Sequence, residues 1–151
     1  MLEKFDKLKS QEELKLAFSA NRCTHVKGLV GSGLSFRIAA AFKNLNQSIL
    51  FIHDSAEKAA YFLNDFEYLV GSSKVNYFPS SFRQPYAPET TDNSNILIRS
   101  ETLKKLINSK KTKIIVTYTQ AIFEKIISQK NLKKISLRLK KNNNFSFGIL
   151  N

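Results

Sequence analysis

At 151 residues the chain has the length of one ordinary domain, and its 42% hydrophobic content, with 12 Phe and 5 Tyr, supplies material for a core. No apolar run approaches the roughly 18 residues of a membrane span, and the opening Met1-Leu-Glu-Lys-Phe-Asp-Lys-Leu-Lys9 lacks a signal-peptide stretch, so a soluble cytoplasmic chain without a membrane partner is expected. One cysteine, Cys23, excludes an internal disulfide; with His25 and His53 it makes too few ligands, wrongly spaced, for structural zinc.

In chain order, Ser10-Gln-Glu-Glu13 reads as a capping box opening a helix that runs to about Ser19. Val26 to Val30 is a short apolar strand candidate, and it leads into Gly28-Leu-Val-Gly31-Ser-Gly33-Leu34-Ser35. This matches the phosphate-loop spacing G-x-x-x-x-G-K-[ST] at every defined position except the lysine, which is Leu34. In a working loop the backbone N–H groups cradle phosphates, the lysine reaches the β and γ oxygens, and the Ser/Thr hydroxyl holds Mg²⁺. Leu34 keeps the shape and removes the charge, along with charge-assisted hydrogen bonds worth about 1.5–3 kcal/mol each. The loop is followed by Leu34, Ile38, Ala41 and Leu45 at helical spacing, the strand–loop–helix order the motif demands. A nucleotide-binding fold that no longer uses nucleotide is the reading, with no cofactor, no metal and no catalytic residue expected.

The remaining pattern alternates. Further strands are predicted at Ser48 to His53, Lys74 to Phe78 and Lys113 to Tyr118, and helices at Leu34 to Leu45, Ala56 to Val70, Asn93 to Ile107 and Gln120 to Ser128. Asp54, with Glu57 three residues on, is placed as an N-cap, Thr119 as the cap of the last helix, and Gly71 as a C′ residue. Such alternation predicts an α/β fold, a partial RecA-like P-loop domain with a parallel sheet flanked by helices. Beyond Ser128, Lys134-Ile-Ser-Leu-Arg-Leu-Lys140 alternates like a strand with one wet face, Phe145-Ser-Phe147 repeats it briefly, and nothing closes the chain at Asn151. The expected division is therefore a degenerate P-loop domain over 1–130 and, over 131–151, the truncated start of a second small module or a linker.

The charge is uneven. Residues 1–103 hold 12 Lys/Arg against 11 Asp/Glu, whereas residues 104–151 hold 12 Lys/Arg against the single acid Glu124. Two explanations stand. One is a basic nucleic-acid-binding domain using residues 104–141, with Lys133, Lys134, Lys140 and Lys141 as contacts. The other is a solvated lysine-rich surface, since Lys104, Lys105, Lys110 and Lys111 come without the arginines and aromatics that accompany base contacts.

The search for chemistry is otherwise negative. The Ile114-Ile-Val-Thr-Tyr118 strand ends without the acid a P-loop NTPase uses for Mg²⁺, and neighbouring His53 and Asp54 point to opposite faces of a strand. A P-loop ATPase or kinase with a displaced lysine is the least favoured reading: Lys27, one residue before the loop, would have to reach back over it.

Taken together, Lys27-Gly-Leu-Val-Gly-Ser-Gly-Leu-Ser-Phe36, Ala59-Ala-Tyr-Phe-Leu-Asn-Asp65, Tyr77-Phe-Pro-Ser80, Arg83-Gln-Pro-Tyr86, Glu89-Thr-Thr-Asp-Asn-Ser-Asn95 and Ile115-Val-Thr-Tyr-Thr-Gln-Ala-Ile-Phe-Glu-Lys125 resemble the N-terminal region of bacterial transcription-repair coupling factors. The likeness runs in order from about residue 20 to 130 and extends to excinuclease B. It implies a parent that is an ATP-dependent DNA translocase, displacing stalled RNA polymerase and recruiting excinuclease A, with its motor far downstream. For this chain the resemblance implies a non-enzymatic module that has lost nucleotide binding, acts with the rest of the parent chain in a closed resting state, and supports recruitment through the following module. The stretch Tyr77 to Pro88 falls where excinuclease B begins its aromatic DNA clamp, but passes almost directly into the next helix start, so the clamp reads as deleted. Phe78, Phe82 and Tyr86 either stack on bases or pin that loop to the domain surface.

Overall fold

A computed structural model of the protein describes residues 2, 9–20, 23–82, 92–128 and 130–131. The sheet has three parallel strands, β1 (Ile49–His53), β2 (Val75–Phe78) and β3 (Ile114–Tyr118), in the order β1-β3-β2. The central strand pairs Ile114 with Ile49 and Val75, and Val116 with Phe51 and Tyr77. Helices α1 (Lys9–Ser19), α2 (Gly33–Asn44), α3 (Ala56–Val70), α4 (Asn93–Asn108) and α5 (Thr119–Phe123) surround it.

Strand alternation sorts the helices onto two faces. Phe51, Val116 and Tyr77 share one face, where the Phe51 ring stands edge-on to Phe66 at 5.0 Å and meets Phe62 at 5.2 Å, so α3 covers that side. Phe78 faces the other way and carries the Arg99 guanidinium of α4 at 4.1 Å from its ring centre. α2 packs on α3, and α1 is tied to α2 by Gln11 Nε2 donating to the Arg37 carbonyl at 2.9 Å. Phe66, Ile114, Val116, Ala59 and Ala39 are fully buried between these layers, and each large apolar side chain so buried is worth about 1.5–3 kcal/mol. A parallel sheet flanked by helices is the arrangement of a partial RecA-like fold, as the alternating pattern predicts.

α3 keeps its expected bounds because both ends are signalled: the Ser55 hydroxyl accepts from the Lys58 N–H at 3.3 Å, and Gly71 leaves the helix at φ 93°, in the left-handed region that favours glycine. Ser55, not Asp54, is therefore the cap. α4 starts on Asp92, whose carboxylate accepts from Ser94 N–H and Asn95 N–H. Four further expectations are corrected. Residues 26–30 form no strand, because Gly28 at φ 78° breaks the extended run and Val26 and Val30 stay exposed, Val30 at 88%. The helix α1 already includes Lys9, so it does not open at Ser10. Thr119 is the first helical residue of α5 rather than its cap; its hydroxyl donates to the Asp54 carbonyl at 3.2 Å. α5 ends at Phe123, not Ser128, since Glu124 turns extended and inward to meet the Ser80 hydroxyl and the Ser81 N–H. The expected strand over 134–140, its partner at 145–147 and the module over 131–151 lie outside the described residues, apart from Asn131.

Candidate functional site

The glycine loop forms, and two of its hydroxyls are bonded to α3. Gly28 and Gly31 adopt φ of 78° and 54°, which an L side chain rarely takes, and the Gly33 N–H closes a turn onto the Val30 carbonyl at 3.1 Å. α2 then begins at Gly33 with Ser32 before it. The Ser32 hydroxyl does not cap the helix; it shares a 2.8 Å hydrogen bond with the Tyr61 hydroxyl of α3. Ser35, at the position where a working loop holds Mg²⁺, is fully buried and donates to Asp65 Oδ2 of α3 at 2.6 Å. Leu34 is partly buried against the core cluster. Loop and α3 are thus stitched by two side-chain hydrogen bonds, one of them made by the hydroxyl at the cation position. Lys27 is exposed in the segment before the loop.

At the carboxyl end of β1, His53 stacks on Phe62 at 4.4 Å and stands edge-on to Phe51 at 4.9 Å. Burial pushes its imidazole below the ordinary histidine range, more than Asp54 lifts it, and its Nε2 has no hydrogen-bond partner among the described residues. Asp54 points to solvent and binds Lys58 Nζ at 2.6 Å, which holds its carboxyl low. The two side chains are not brought together for acid–base work.

A cluster that spacing alone does not signal closes the carboxyl ends of β2 and β3. Arg99 Nη1 donates to the Pro79 carbonyl at 2.5 Å and the Ala121 carbonyl at 3.1 Å, and Nη2 lies 3.4 Å from Glu124. Glu124 accepts from the Ser80 hydroxyl and from Ser81 N–H at 2.9 and 3.0 Å, while Ser80 N–H donates to the Tyr118 hydroxyl at 2.8 Å. Burial raises the Glu124 carboxyl, but the Ser80 and Ser81 donors and Arg99 outweigh it and leave it below the usual carboxylate range. Burial pushes the Tyr77 phenol up to about 12. Tyr118 and Glu124 are bonded to Ser80 and Ser81, and Arg99 to Pro79, Ala121 and Glu124, so the cluster locks the turn that follows β2.

The chain is 32% identical over 98 residues to the transcription-repair-coupling factor of Rickettsia prowazekii (strain Madrid E), covering 64% of this chain and 9% of the relative. It is 30% identical over 105 residues to that of Rickettsia bellii (strain RML369-C), covering 69% and 9%. The chain is related to the transcription-repair-coupling factors. It spans about 9% of the length of the curated relatives it matches. No protein-family model matches it, and no solved structure matches it.

Within this transcription-repair-coupling-factor relative, the residues expected to matter have separate fates. The loop residues Gly28, Gly31, Gly33, Leu34 and Ser35 come together as one turn and helix start. Phe78 is core, Phe82 is partly exposed, and Tyr86 lies outside the described residues, as do Lys133, Lys134, Lys140 and Lys141. Among the described residues no group of three His, Cys, Asp or Glu side chains is placed to hold a metal ion, and no helix is long and apolar enough to cross a membrane.

Proposed function

We propose that this chain is a non-catalytic N-terminal module of a transcription-coupled DNA repair factor, in which a former phosphate loop serves as a structural joint between α2 and α3. The observation that carries the reading is the double loss at that loop: Leu34 stands in place of the phosphate-binding lysine, and the Ser35 hydroxyl is consumed by Asp65. A loop that retained catalysis would keep both groups open to the phosphates. The similarity to transcription-repair-coupling factors supports placing the parent in transcription-coupled repair. In that reading the parent is an ATP-dependent translocase acting on DNA and stalled RNA polymerase. This module scaffolds the following one, which recruits excinuclease A, and it contributes to an autoinhibited resting state. The cytoplasm is its compartment, and residues 1–130 form the folded unit.

Pull-down of excinuclease A tests the recruitment role, using this chain beside a longer chain that includes the following module. Capture by the longer chain alone is expected; strong capture by the 151-residue chain would place the partner surface on the loop domain and end the scaffold reading.

A further inference from the structure

Five of the twelve basic residues in the last third of the sequence are gathered by the fold. α4 brings Lys104 and Lys105 to its carboxyl end, and the 109–113 loop adds Lys110, Lys111 and Lys113 before β3 begins. That loop is fastened to its neighbours at the amino end of the sheet: Lys113 N–H donates to the Ser48 hydroxyl at 3.1 Å, its carbonyl accepts from Ile49 N–H at 2.9 Å, and its ammonium binds the Ser73 carbonyl. Lys74 follows Ser73 directly. Six lysines therefore share one rim, and all but Lys113 are exposed.

Acids do not balance them there. On the elements reaching this rim the carboxylates are Glu101, 3.7 Å from Lys105 with both side chains more than half exposed, and Glu67 in the last turn of α3. An exposed pair of this kind is worth about 0–1 kcal/mol and leaves the local field positive. Four other acids gather at the opposite end of the strands, where Asp54, Glu57, Asp92 and Glu124 open helices, pair with Lys58 or bind Arg99. Among the described residues of these elements, charge is thus sorted along the strand direction.

We propose that this amino-end rim is a surface for the phosphate backbone of nucleic acid. Lysine ammoniums on flexible stems neutralise a phosphate track without reading bases, which suits a rim with no arginine among these six positions. Tyr68, 88% exposed in the last turn of α3, puts a solvent-facing ring at the same end, a group that favours nucleic acid over an acidic polypeptide. The rim lies wholly within residues 74–113 and so differs from contacts at Lys133, Lys134, Lys140 and Lys141. Its biological setting rests on the repair reading above, but the measurement below involves no excinuclease, so either can fail alone.

Fluorescence anisotropy of the 151-residue chain with a labelled 20-base-pair duplex tests it. Binding should weaken by about a hundredfold between 50 and 200 mM salt, the slope for about four neutralised phosphates. The variant K104E/K110E/K111E should bind at least about tenfold more weakly than K27E/K125E/K130E, which changes the net charge equally away from the rim. All six substituted lysines are exposed, so both variants should fold, as circular dichroism will verify. Equal loss in the two variants would overturn the proposal, as would salt-insensitive or absent binding. Displacement of the duplex by polyglutamate at matched charge would overturn it in favour of an acidic protein.

Discussion

Ser35 and Asp65 show how a loop hydroxyl is tied into the packing of α2 on α3. A fully buried hydroxyl that donates to a carboxylate at 2.6 Å is expensive to orphan, so Asp65→Ala should lower stability by about 1–3 kcal/mol, read as a shift in the urea midpoint. Ser35→Ala on top of Asp65→Ala should cost less than on the wild type, because the partner is already gone. An unchanged midpoint in Asp65→Ala would show that the hydroxyl is not engaged. Arg99 and Glu124 make a costlier pair: both side chains are largely buried, and Glu124→Ala leaves the guanidinium uncompensated, a loss of about 3–5 kcal/mol. The pH dependence has a definite sign. With its folded pKa depressed, Glu124 contributes stability that is present above the ordinary glutamate value of about 4.3 and is lost as pH falls through the folded value. Glu124→Gln should therefore flatten the acid limb of a stability–pH curve, and an unaltered limb would remove Glu124 from the explanation. His53 acts near neutrality. Its imidazole is also depressed, so protonation favours the unfolded chain, and stability falls as pH drops below about 6.5; His53→Phe should erase that step.

Among the elements, β1 gives the sharpest contrast. Phe51 lies under α3, whereas Leu50 and Ile52 on the other face are 56% and 49% exposed. Phe51→Ala should cost about 3–5 kcal/mol, and Leu50→Thr no more than about 0.5 kcal/mol, in thermal or denaturant unfolding. The reverse order would mean a strand slipped by one residue. What was legible in the sequence tracks how local the signal is. α3 could be read because its apolar period lies within the segment and Gly71 directly follows it, although its cap is Ser55 and not the neighbouring Asp54. The loop was legible for the same reason, since its defined positions fall within Gly28 to Ser35. The 26–30 segment misled because an apolar run looks like a strand until its central glycine takes a left-handed φ. α5 stopped early because Glu124 is drawn to a turn 43 residues away, and the pairing of Arg99 with Glu124 depends on β2 and β3 being neighbours, which no spacing encodes. The Ser35–Asp65 bond spans 30 residues and was hidden for that reason, although the missing lysine beside it was plain.

At the scale of the whole molecule, the fold keeps the frame of a nucleotide-binding domain while its polar groups serve cohesion. The glycine loop is bonded to α3, the carboxyl ends of β2 and β3 are closed by Arg99 and Glu124, and six lysines lie at the far end of the sheet. Restoring one group should not restore chemistry. Leu34→Lys should release no phosphate from ATP in a colorimetric assay, because Ser35 remains bonded to Asp65 and β3 still ends on Tyr118 without an acid.

Isothermal titration of the wild-type chain with Mg-ATP at millimolar concentration bears most directly on the claim that the loop has become structural. The expected result is no saturable heat, with any Kd weaker than about 100 µM. A Kd below about 100 µM, a binding free energy stronger than about −5.5 kcal/mol, would contradict it and return the loop to use as a nucleotide site.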